Sequence, residues 1–147
     1  MWKVVAAILN CRFTSSITYH DFLHGFRSGC ITGTATLEAK LLQQLAALRE
    51  EVLYVIFLDL HKAYDTLDRS SCMEILEGYG IGPWARNLLK QYWHRLTIVA
   101  RAGDYYRTYF RGERGMKQSD PLFPTIFNVV VDAVFRHWVQ RVVEESE

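Results

Sequence analysis

An α+β fold is the expectation for this 147-residue chain. Three observations carry it. Residues 52–58 form an apolar run, rich in branched and aromatic side chains, with the length of a buried strand. Residues 96–102 and 105–110 flank Gly103-Asp104 and read as a hairpin. Residues 36–51 and 126–143 are uninterrupted by Gly or Pro and read as helices.

Each element has its own local reason. At the N-terminus the apolar run 4–9 is too short for a membrane span and lacks a small-residue cleavage site, so it reads as a helix turn or strand within the fold. In 36–51, Leu37, Leu41, Leu45 and Leu48 make a stripe at helical spacing. The strand 52–58 ends at Asp59. A second helix is expected from Ser71, where Ser71-Cys72-Met73-Glu74 fits a capping box, to Gly78 or Gly80. Pro83 suits a first helical position, and 83–94 reads as a third helix. Asp120-Pro121 fits an N-cap followed by a first-turn proline. Pro124 still falls where a missing N–H matters least, and the last helix runs on into an acidic tail. With no repeats, low-complexity tracts or Pro/Gly linkers, one domain is expected.

Half of the residues are hydrophobic and 22% are charged, which is a globular composition and excludes a disordered chain. The net charge of +1 hides a local imbalance. Residues 86–117 hold eight Lys or Arg against two acids, a local excess of six, interleaved with Tyr92, Trp93, Tyr105, Tyr106, Tyr109 and Phe110. Cations attract phosphates and rings stack on bases, so this stretch is a candidate nucleic-acid track. A solvated hairpin with core-packed aromatics fits the same residues. Cys11, Cys30 and Cys72 are widely spaced, without a C-x-x-C pair, and read as reduced thiols of an intracellular protein.

The chemistry-bearing candidate is Asp59. A carboxylate at the tip of a buried strand is expensive unless it is paired, hydrogen-bonded or holding a cation. Asp59 is therefore a candidate metal ligand, and a solvated Asp capping a turn is the alternative. Asp65 and Asp68 read as turn and cap residues. A nuclease grouping Asp59, Asp65 and Asp68 around a metal is the weaker reading, because no His or Glu stands at ligand spacing around them.

The longer pattern from Asp59 to Arg69, D-L-x-K-A-Y-D-x-L-D-R, resembles the first catalytic motif of reverse transcriptases, the RNA-directed DNA polymerases of group II introns, retrons and non-LTR retroelements. Residues 114–128, R-G-M-K-Q-S-D-P-L-F-P-T-I-F-N, resemble that family's R-Q-G-D-P-L-S-P-x-L-F-N segment. His24-Gly25-Phe26-Arg27-Ser28-Gly29, followed by Thr32, Thr34 and Ala35, resembles its H-G-F-R-x-G-R-S-T segment. The motifs stand in the family's order and cover residues 20–143.

The resemblance implies the fingers and partial palm of a right-hand polymerase, with helices packed on a small, mostly antiparallel sheet. It implies one partial domain over residues 1–147, whose full-length relative copies RNA into DNA by two-metal nucleotidyl transfer. In that family's terms Asp59 is catalytic and holds Mg²⁺, with the Leu60 carbonyl as a further oxygen donor. Tyr64 packs beneath the sugar of the incoming deoxynucleotide and rejects a 2′-hydroxyl. Gln118 contacts nucleotide or template. Arg27, Lys62, Lys117 and Arg114 are weaker candidates for template or phosphate contacts. The implied partners are an RNA template, a DNA primer and deoxynucleotides, with no membrane.

The chain departs from the pattern in ways that matter. The family's Y-x-D-D hairpin and thumb are not in the sequence, so an inactive fragment is expected, with self-association through an exposed palm edge. A non-catalytic RNA or primer–template binding module is the alternative. Ser119 stands where the family has Gly, Phe123 where it has Ser, and Cys30 where it has a basic residue.

Overall fold

The computed structural model describes residues 2–103, 105–117 and 119–145, and does not extend to the side chains of 98, 100–102 and 105–111. Asp104 and Gln118 lie outside the described residues. Helix α1 (Trp2–Ser16) buries Ala6, Leu9 and Phe13, spaced three and four apart on one face. Helix α2 (Thr32–Leu48) begins ahead of the expected residue 36. The Thr34 hydroxyl accepts from the Ile31 N–H at 3.3 Å and donates to the Ile31 carbonyl at 2.6 Å, which closes the helix entry. Glu50, with φ at +57°, then turns the chain out of the helix.

A single turn, α3 (Ala63–Thr66), leads into α4 (Arg69–Gly78). The α4 cap is Asp68, whose carboxylate accepts the Ser71 N–H at 2.8 Å. The box expected at Ser71 is therefore corrected, because Ser71 is already inside the helix. Helix α5 (Pro83–Arg95) has Pro83 in its first turn, where the missing donor is harmless. Strands β1 (Thr97–Ala102) and β2 (Tyr105–Arg111) pair antiparallel, with a register irregularity between Val99 and Ala100. Helix α6 (Phe123–Glu144) starts after two turn residues. Asp120 lies ahead of the helix and accepts the Leu122 N–H at 3.0 Å.

The expectation of helices packed on a sheet is overturned. Residues 51–60 form no strand, and every one of them is exposed. Extended backbone becomes a strand only through a ladder with a neighbour. The strands among the described residues, β1 and β2, pair with each other and not with residues 52–58. The fold is predominantly helical instead: α6 packs on α4 and α1, and α4 packs on α5. Leu9, Phe13, Leu76, Leu89, Trp93, Ile126 and Val129 belong to the single core these helices enclose. The leucine stripe of α2 does not join it, and no α2 residue is buried.

A polar knot crosses the core at Asp132, which is 1% exposed. Its carboxylate accepts from the Arg136 guanidinium at 2.7 Å, the Tyr79 hydroxyl at 2.5 Å and the His20 N–H at 2.7 Å. One buried charge thereby fastens α6 to α4 and to the chain leaving α1. Burial alone would raise the Asp132 pKa, but these donors outweigh it and hold the carboxyl below its ordinary value. Tyr79 moves the other way, pushed up to about 12 by burial and by the carboxylate it faces.

Candidate active site

The sequence segments singled out as motifs meet in space. The chain around Tyr64 and the loop beginning at Arg114 lie back to back: the Met116 N–H donates to the Tyr64 carbonyl at 3.0 Å, and the Gly115 N–H to the Leu67 carbonyl at 2.8 Å. Gly115 has φ at +74°, and a Cβ there would stand 2.8 Å from the Asp65 carbonyl oxygen and 2.9 Å from the Asp65 Cα. Only glycine allows this approach, since any side chain would push the two backbones apart.

Aromatic packing continues the contact. Tyr64 is half-buried, with ring centroids 4.5 Å from Phe123 and 5.8 Å from Phe127. Phe123, at the position where the resembling motif carries Ser, is itself buried and forms part of the floor beneath Tyr64. Tyr64 thus packs on two rings of α6 and stays only partly buried. The third motif joins through α6 as well. The buried Asn128 donates its amide to the Gly25 carbonyl at 2.6 Å. His24 pairs with Glu38 of α2 at 3.0 Å, which ties that loop to the second helix.

The remaining predicted residues are placed as follows. Asp59 and Leu60 lie on the exposed segment before α3, which forms neither helix nor strand. Among the described residues, no three His, Cys, Asp or Glu side chains gather as a metal cage, so Asp59, Asp65 and Asp68 form no metal centre together. Asp68 is committed elsewhere. Its carboxylate takes the Ser70 and Ser71 hydroxyls as well as the Ser71 N–H, and these bonds lower its pKa to about 2. Lys62 is exposed, with φ at +46°, and its carbonyl opens α3 by accepting the Asp65 and Thr66 N–H groups. Lys117 and Arg114 are exposed on the Gly115 loop. Gln118, the next residue, lies outside the described residues.

Arg27 is turned toward its own loop. Its guanidinium donates to the carbonyls of His20 at 3.2 Å and Leu23 at 3.5 Å, so it braces residues 20–27. Of the basic track, Arg86 is paired with Glu77 at 2.6 Å, whereas Lys90 and Arg95 are exposed. The side chains of Arg101, Arg107 and Arg111 lie outside the described residues.

Two anchors beneath this site carried no motif signature. The Trp2 indole donates to the Asp120 carboxylate at 2.7 Å and stacks on Tyr92 at 3.5 Å. This contact binds α1 and α5 to the turn that opens α6. Asn10 accepts the Thr125 hydroxyl. The available signal was polarity in an apolar setting, as with Asn10 on α1 and Asp132 on α6.

Comparison with known proteins gives a consistent picture. A family model described as "Reverse transcriptase (RNA-dependent DNA polymerase)" matches residues 1–146. The chain is 29% identical over 132 residues to the "Retrovirus-related Pol polyprotein from type-2 retrotransposable element R2DM" of Drosophila melanogaster, covering 88% of this chain and 12% of that protein. It is 31% identical over 112 residues to the Pol polyprotein of type-1 retrotransposable element R2 of Nasonia vitripennis, covering 74% and 10% respectively. A Pol polyprotein of the R2 element of Popillia japonica is 30% identical over 133 residues, covering 88% and 18%. The chain thus spans less than a fifth of the length of these curated relatives.

Proposed function

Because this chain belongs to the reverse transcriptase family, we propose that it is one partial domain, over residues 1–147, of an RNA-directed DNA polymerase from an R2-like non-LTR retroelement. The observation that carries the reading is the junction of Tyr64 with the Gly115 loop, where backbone bonds join two segments distant in sequence. In this reading the solvent-facing part of Tyr64, braced by Phe123 and Phe127, is the platform for the sugar of a deoxynucleotide. A 2′-hydroxyl would meet the ring. Gln118 is the contact to nucleotide or template, and Lys117, Arg114 and Lys62 contribute positive charge for template or phosphates. Arg27 serves indirectly, by bracing the loop that Asn128 holds. The partners are an RNA template, a DNA primer and deoxynucleotides.

Divalent ions supply the charge stabilisation for nucleotidyl transfer in such polymerases. Asp59 and the Leu60 carbonyl are oxygen donors suited to Mg²⁺, but alone they do not fit a two-ion site. No carboxylate cage is formed among the described residues, and the sequence contains no D-D pair. Asp59 contributes one ligand to a centre that needs others.

The test is primer extension on an RNA template. The 147-residue chain alone gives none with Mg²⁺ or Mn²⁺. Joined to the Y-x-D-D hairpin and thumb of a relative, it extends the primer, and Asp59→Asn then reduces extension to background. Extension that survives Asp59→Asn overturns the site assignment. A joined protein that binds RNA in a salt-dependent way, yet never extends, replaces the polymerase reading with a binding module. The exposed segment 51–60 is also the surface through which isolated copies self-associate.

A further inference from the structure

Arg69, the first residue of α4, has no role in the account so far. Its guanidinium points to backbone carbonyls. Nε donates to Gly115 at 2.8 Å, Nη1 to Gly112 at 2.5 Å and to Trp93 at 3.4 Å, and Nη2 to Arg114 at 3.4 Å. The cation also lies 5.8 Å from the centre of the Trp93 ring. A planar fork with several fixed donors can span successive carbonyls, and a lysine ammonium cannot. Partial burial lowers the Arg69 pKa and makes its charge costly to hold, so the carbonyl bonds are needed to offset it.

The latch lies between the two halves of the candidate site. On one side it is rooted five residues after Tyr64. On the other it grips residues 112, 114 and 115, directly ahead of Lys117. The same loop is bonded through its own amides to Tyr64 and Leu67.

We infer that Arg69 is a positioning residue: it fixes the loop bearing Lys117 against the turn bearing Tyr64, and so sets the geometry of the deoxynucleotide platform without touching the nucleotide. This inference rests on the polymerase reading above. A loosened latch weakens the placement of the incoming nucleotide more than it slows the step that follows.

The test uses the full natural polypeptide that contains these residues, with two variants that attack the latch from opposite sides. Arg69→Lys keeps charge and stem but loses the fork. Gly115→Ala keeps Arg69 but drives a methyl into the Asp65 backbone. Each is expected to raise the KM for deoxynucleotides about tenfold, with kcat changed less than about twofold, since Arg69→Lys loses one or two charge-assisted bonds and Gly115→Ala forces the loop away from the Asp65 backbone. Hydrogen exchange at the Gly115 and Met116 amides should quicken at least about tenfold, while the amides of α6 keep their protection. Two results overturn the proposal: unchanged exchange and KM in Arg69→Lys, or quickened exchange with unchanged KM. If Arg69→Lys loses protection throughout α6, Gly115→Ala decides alone, and an unchanged KM there also overturns it. An inactive wild type sinks the polymerase reading and takes this inference with it. An active wild type with an indifferent Arg69→Lys sinks the inference alone.

Discussion

Single positions in this chain differ sharply in how much they constrain it. Ser119 has φ at +72°, a left-handed conformation that disfavours any residue with a Cβ. The family pattern has Gly there, and the backbone shows why that choice is favourable. Ser119→Gly is expected to raise stability by about 0.5–1 kcal/mol, the relief of strain less the extra chain entropy glycine loses on folding. The urea midpoint should rise at constant slope, and a lower midpoint would mean that residue 119 is not left-handed in solution. Asp132 is the opposite case, a side chain whose removal leaves donors stranded. Asp132→Ala loses three bonds and leaves the partly buried Tyr79 hydroxyl and His20 amide without their acceptor, while the exposed Arg136 keeps water and the Thr18 carbonyl; the loss should cost about 2–4 kcal/mol. Asp132→Asn keeps part of the geometry and should cost less by the same denaturation assay. A result within about 0.5 kcal/mol for the alanine variant would show that water replaces the carboxylate, as at ordinary surface sites.

At the level of elements, the helices were legible because their signals are local. Pro83 marked the start of α5, and an apolar stretch without Gly or Pro marked most of α6. The α4 cap was misplaced by three residues because Ser71 and Asp68 both satisfy a cap pattern, and the carboxylate is the stronger acceptor. Its contribution depends on pH with a definite sign. The folded pKa is depressed to about 2, so the stabilisation is complete above the ordinary carboxylate range and disappears as pH falls toward about 2. Helix content measured by circular dichroism should therefore drop between about pH 4 and pH 2, and Asp68→Ala should flatten that part of the transition. An identical acid limb in the variant would assign the loss to other carboxylates. Residues 52–58 were misread for the complementary reason: branched and aromatic side chains report that a segment suits a ladder, while the ladder needs a partner elsewhere in the chain. The candidate site was legible where its motifs carry distinctive side chains, such as Tyr64 and Asn128. Arg69 closes the first motif, yet its role was not legible, because it reads backbone carbonyls, which leave no trace in the sequence.

Across the whole molecule, burial is uneven. The core draws on α1, α4, α5, α6 and the loop at Met116, and no residue from 31 to 60 is buried. That segment nevertheless carries Val52, Tyr54, Ile56, Phe57 and Leu58, with Phe57 91% exposed, beside a helix whose leucines also face outward. An exposed apolar run outside any sheet, rich in β-prone side chains, pairs readily with another chain. The isolated chain should therefore associate as its concentration rises, through residues 52–58, while its helical core stays folded. Sedimentation velocity on the wild type and on Phe57→Lys separates the possibilities. A charge on the run should shift the protein toward monomer, with an unchanged circular dichroism spectrum and melting midpoint, because position 57 contributes nothing to the core. Association that persists in Phe57→Lys but is lost in Leu41→Lys would move the contact to the outward face of α2. A lowered midpoint in Phe57→Lys would show instead that the run folds back onto the molecule in solution and joins its core.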